Sequence, residues 1–158
     1  MKPEQENLVK DKHLLIAVDG SESSKRAVLY VADLLGGFPG FRVTVLSIIP
    51  EPEEDFFDSE KERVAWSKEK IEAANRLLET YRQVLIQSGF PEGKVRTRSC
   101  VGETKEFAEA ILEAQHGMES CTIVVGRHHK SKTEEFLFGS TSSRLIHEAR
   151  NCAVWVVE

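Results

Sequence analysis

Short apolar runs alternate along this chain with longer stretches of helical spacing. His13-Leu14-Leu15-Ile16-Ala17-Val18 is nearly continuous in apolar character and ends at Asp19-Gly20. A run without polar alternation fits a strand covered on both faces. From Ser21 to Leu35, Ala27, Val28, Val31, Leu34 and Leu35 fall on one helical face, and Gly36-Gly37 stops the pattern. Phe41 to Ile49 predicts a second strand, closed by Pro50. The acidic stretch Glu51 to Asp58 reads as a surface loop, with Phe56-Phe57 serving either as a lid or as a subunit contact. Ser59 to Ser88 predicts a long helix with Val64, Ile71, Ala74, Leu78, Tyr81 and Leu85 near helical spacing, ended by Gly89 and Pro91. Its many charged residues are the solvated face of that helix.

Lys94 to Cys100 alternates charged and less polar residues, so one face is wet and the strand belongs at a sheet edge. Glu103 to His116 predicts a helix buried through Phe107, Ala108, Ile111 and Leu112, with Gly117 as its stop. Cys121 to Val125 reads as a central strand, Ser140 to Ala149 as the last helix, and Ala153 to Val157 as the final strand. Strands joined by helical crossovers define a doubly wound parallel α/β sheet with helices on both faces. The apolar early strands and the wet third strand give the order 3-2-1-4-5. Ligands of such sheets sit beyond the strand C-termini where the order reverses. That point collects Asp19-Gly20-Ser21 and the segment from Gly126 to Lys130.

At 158 residues the chain suits a single domain over 1–158, with residues 1–11 as a polar N-terminal tail. The polar start has no apolar stretch of a secretory signal, and no run approaches the roughly 18 residues of a membrane span. A formal charge of −5 argues against a general nucleic-acid binder. The cysteines Cys100, Cys121 and Cys152 form no C-x-x-C pair, and their number is odd. They read as small buried residues of a protein in a reducing cytoplasm.

The sequence carries no G-x-x-x-x-G-K-[ST], no G-x-G-x-x-G after the first strand, no G-x-S-x-G and no H-E-x-x-H. No nucleophile stands with an evident base, so the residues do not argue for an enzyme. His128 and His129 are adjacent and diverge, which disfavours a metal pair. Val124-Val125-Gly126-Arg127-His128-His129-Lys130, followed by Phe138-Gly139-Ser140-Thr141, remains: a strand, a basic loop and a helix start, an arrangement suited to hold an anion.

The pattern Gly126-x2-His129-x9-Gly139-Ser140 resembles the C-terminal signature G-x2-G-x9-G-[ST] of the universal stress protein family. Ile16 to Ser21, Val45 to Ile49 and Cys152 to Val157 extend the resemblance over nearly the whole chain from about His13. The resemblance implies a stress-response protein that binds ATP or a related adenine nucleotide as a sensor or regulator, either alone or with a divalent cation. By position, Ala17, Val18 and Asp19 would lie by the adenine and ribose. Ile48 would offer backbone groups to the base. Val125 and Gly126 would line the ribose side, and Gly139, Ser140 and Thr141 would contact phosphates. It also implies a homodimer paired through Ala153, Val154, Trp155, Val156 and Val157.

His129 stands where the family pattern has its second glycine. Two outcomes stay open. Arg127, His128, His129, Lys130 and Lys132 could supply charge to a bound phosphate, or the pocket could be closed, leaving a nucleotide-free dimeric interaction module. Each site residue also has a plainer role: Asp19 or Ser21 as a helix cap, Gly126 as a strand-ending turn, and Gly139-Ser140 as an ordinary helix start.

Overall fold

A computed structural model describes residues 10–102, 107–127 and 140–158. Five parallel strands form one sheet in the order β3-β2-β1-β4-β5. They are β1 (Lys12–Val18), β2 (Phe41–Pro50), β3 (Val95–Gly102), β4 (Thr122–Gly126) and β5 (Ala153–Val157). The crossover helices are α1 (Glu22–Leu35), α2 (Glu60–Ser88), α3 (Phe107–Met118) and α4 (Ser140–Glu148). The sequence-derived class and strand order are therefore those observed.

Alternate residues of the central strands feed two cores. Leu14, Ile16, Val43, Val45 and Val124 point to one face, where Ala27, Val28, Val31, Leu78, Tyr81 and Leu85 of α1 and α2 cover them. Leu15, Ala17, Leu46, Ile48, Ile123 and Val125 point to the other, against Ala108, Ile111 and Leu145 of α3 and α4. Burial on both faces explains why β1 and β4 read as unbroken apolar runs. Ser21 caps α1 by accepting from the Ser24 N–H, and Ser59 caps α2 by accepting from the Glu62 N–H.

Three local expectations change. The N-terminal half of α2 is not a buried face: its buried residues are Leu78, Tyr81 and Leu85, and Val64 is 59% exposed. At 29 residues the helix is far longer than the sheet it covers, so its first turns overhang. Phe57 of the preceding segment packs instead on Trp66, with ring centroids 5.7 Å apart. Gly117 lies inside α3 and does not stop it; the turn follows at Glu119, where φ is 54°. Pro50 is the last residue of β2, paired with Gly102, because a strand end tolerates the missing N–H.

Candidate functional site

The C-terminal ends of β1 and β4 part at the switch point, as the strand order requires. A cavity of about 70 Å³ opens there between Ala17, Val18, Asp19, Ser23, Ser24, Ile48, Phe107, Ile111, Val125, Gly126 and Thr141. Its described walls are mostly apolar, and the volume suffices for several waters at about 10–15 Å³ each. Of the residues singled out in the sequence, Ala17, Val18, Asp19, Ile48, Val125, Gly126 and Thr141 meet around this one space. Ser140 opens α4 beside Thr141. His129 and Gly139 lie outside the described residues.

Arg127 does not line the cavity. Its guanidinium donates to the Glu158 carboxylate at 2.7 Å, and its N–H donates to the Val157 carbonyl. The Arg26 side chain also reaches the Glu158 backbone carbonyl, so the end of β5 is tied to both α1 and β4.

Asp19 is exposed at the end of β1. Its Oδ1 accepts from the Ser21 N–H at 3.0 Å and from the Ser21 hydroxyl. The same hydroxyl oxygen accepts from the Ser24 N–H at 3.2 Å. Asp19 thus orients the capping serine, and Ser21 itself is the cap. Gly20 turns the chain between them at a φ of 82°, a left-handed value suited to glycine.

Gly126 has a different physical reason. A Cβ there would lie 2.2 Å from the Ser23 carbonyl oxygen and 2.4 Å from its carbon. The end of β4 packs directly against the first turn of α1, and only a residue without a side chain permits that approach. Gly126 is also paired with Val157 within the sheet, so it is a strand residue and not a turn.

Ser23, Ser24, Phe107 and Ile111 are lining residues that the sequence reading did not assign to the site. Phe107 and Ile111 looked only like the buried face of a helix, which they also are. Ser23 and Ser24 belong to the α1 first turn, and a serine two or three residues after a capping serine was their one available signal. Tyr81 of α2 lies close to Ser24 in this turn. Burial, with the nearby carboxylates of Glu22 and Asp19, pushes its phenol pKa up and keeps it neutral.

Burial likewise raises the pKa of the Cys100 and Cys152 thiols, so neither is an activated thiolate. Among the described residues, no group of His, Cys, Asp and Glu is assembled to hold a metal ion. No described helix is long and apolar enough to cross a membrane.

A five-stranded parallel sheet of this order, with helices on both faces, defines a doubly wound α/β protein. The chain belongs to the universal stress protein family, whose pattern it matches over residues 11–158. Among solved structures it is similar to hypothetical protein MJ0577, a structural-genomics test case for assigning biochemical function. That match has 26% identity and a TM-score of 0.75, covering 94% of this chain and 96% of the other. Universal stress protein UspA from Lactobacillus plantarum matches with 16% identity and a TM-score of 0.74, over 94% and 99% of the two chains. A universal stress protein in complex with cAMP matches with 17% identity and a TM-score of 0.67, over 93% and 97%. No curated protein sequence matches significantly.

Proposed function

We propose that the switch-point cavity receives the base of ATP or a related adenine nucleotide, and that the protein acts as a nucleotide-binding sensor or regulator. The observation that carries this reading is the convergence of Ala17, Val18, Asp19, Ile48, Val125, Gly126 and Thr141 on one space. At about 70 Å³ that space suits the edge of a flat ring and not a whole nucleotide. Ligand clefts usually measure roughly 300–1,000 Å³. Ile48 and Val125 give apolar surface to the ring, and Asp19 faces hydroxyl or amine donors. The ribose and phosphates then extend toward Thr141 and the start of α4, where backbone N–H groups and the helix dipole favour negative charge. The similar protein solved with cAMP carries an adenine nucleotide on the same fold.

Titration of ATP and cAMP into the purified chain tests the reading. Saturable binding of one nucleotide per chain is expected, weakened at least tenfold by Ala17→Leu, which fills the slot. Absence of saturable binding at millimolar nucleotide would refute it.

β5 favours a second role. Among the described residues it ends the sheet beside β4 alone, and it is half-buried from Val154 to Val157. An uncovered strand edge is a template for pairing. A homodimer joined through Ala153 to Val157 would cover it, and such a module could act without nucleotide. Light scattering decides the matter: twice the chain mass supports the dimer, and a strictly monomeric mass at high concentration rules it out.

A further inference from the structure

The opposite end of the sheet, where the strands begin, holds a second and chemically different concavity. His13, Arg42, Val43, Thr44, Gly93, Lys94 and Arg96 surround about 230 Å³. The strand register explains the assembly. His13 pairs with Arg42 across β1 and β2, and Thr44 pairs with Arg96 across β2 and β3. Side chains alternate faces along a strand. His13, Arg42, Thr44 and Arg96 therefore share the face opposite Leu14, Val43 and Val95.

Three cationic side chains line this hollow, and none of its described lining residues is acidic. Lys94 is paired with Asp11. Among the described residues, Arg42 and Arg96 have no ion-pair partner. The floor is polar and fixed: the His13 Nε2 lies 2.8 Å from the buried Thr44 Oγ1. Gly93 leaves the rim open, with nothing within 4 Å of where a side chain would begin. Placing these like charges together opposes folding on a chain of net charge −5, where they could have been dispersed. Burial and the charges of Arg42 and Arg96 also hold the His13 pKa below its usual value.

We infer that Arg42, Lys94, Arg96 and the floor formed by His13 and Thr44 make a binding site for a small phosphate-class oxyanion, separate from the switch-point cavity. Guanidinium groups present paired N–H donors that match phosphate oxygens. Two of them beside an ammonium would neutralise a dianion. The concavity selects a small anion over an extended acidic polymer.

The test titrates inorganic phosphate, pyrophosphate and phosphoserine into the full chain at constant ionic strength held with chloride. Saturable binding is expected, with affinity reduced at least tenfold in the Arg42→Gln/Arg96→Gln double variant. Both positions are exposed, and their replacement relieves repulsion, so the double variant should be at least as stable as the native chain. ATP binding at the other cavity should stay within twofold, which separates failure of this site from failure of the nucleotide reading. Tighter binding of phosphoserine assigns the site to esterified phosphate, and tighter binding of phosphate assigns it to the free anion. Equal phosphate affinity in native and double-variant chains overturns the inference. So does the absence of saturable phosphate binding.

Discussion

Replacing Gly126 with alanine adds one methyl group where β4 meets α1. The new carbon would lie 2.2 Å from the Ser23 oxygen, 2.4 Å from the Ser23 carbon and 2.8 Å from the Ser24 nitrogen. Ordinary carbon contacts fall at about 3.5–4.0 Å. The obstruction is backbone, so no side-chain rotation relieves it. The first turn of α1 would have to retreat by about 1 Å to restore such contacts. That helix is held by Ala27, Val28 and Val31, all fully buried. Overpacking of a well-filled interior costs about 1–3 kcal/mol, and three simultaneous backbone clashes place this case at about 3 kcal/mol. For a chain of this size, the corresponding fall in Tm is about 6–12 °C. Urea denaturation followed by circular dichroism measures the loss. Gly93→Ala is the matched control, because nothing lies within 4 Å of its added carbon. If Gly126→Ala were as stable as the control, the close packing of β4 on α1 would be refuted as the reason for this glycine.

Gly117→Ala should stabilise the chain by about 0.5 kcal/mol, since Gly117 is helical and has open space around it; a loss in the urea midpoint would contradict this. His13 sets a pH dependence. Its folded pKa is lowered, chiefly by burial and then by Arg42, so the unfolded chain binds the extra proton more readily. Its contribution is fully present above the unfolded pKa of about 6.5 and is lost as pH falls toward the folded value. His13→Gln should flatten the change in urea midpoint between pH 7.5 and 5.5, and an unaltered slope would show that His13 does not titrate in this way.

The fold was legible because burial leaves a plain trace in composition. β1 and β4 have both faces covered and therefore lack polar alternation, whereas β3, with Arg96 and Arg98 exposed, shows it. Ser21, one of the two caps the sequence offered, marks the start of α1. The failures have equally specific causes. In α2, apolar residues at helical spacing, Val64 among them, said nothing about how far the sheet extends beneath them. Gly117 looked like a stop because glycine often ends helices, but the break falls two residues later. At the site, Asp19, Ile48 and Gly126 were found through the strand ends and the family pattern. Phe107 and Ile111 were missed because a helix residue facing a cavity has the same apolar character as one facing the core. The crowding of Gly126 against Ser23 joins residues about a hundred positions apart, and only the folded chain displays it.

The basic hollow was hidden for the same reason. Arg42 and Arg96 each read as the wet position of a strand, and their meeting with His13 depends on the β1-β2-β3 register.

The most direct test of the central claim is an amide ¹H–¹⁵N correlation spectrum of the full chain during titration with ATP. Saturating shifts concentrated at Ala17 to Asp19, Ser23, Ser24, Ile48, Val125, Gly126 and Thr141 are the result the nucleotide assignment predicts. A spectrum unchanged at millimolar ATP, or shifts confined to Arg42, Thr44 and Arg96, would contradict it.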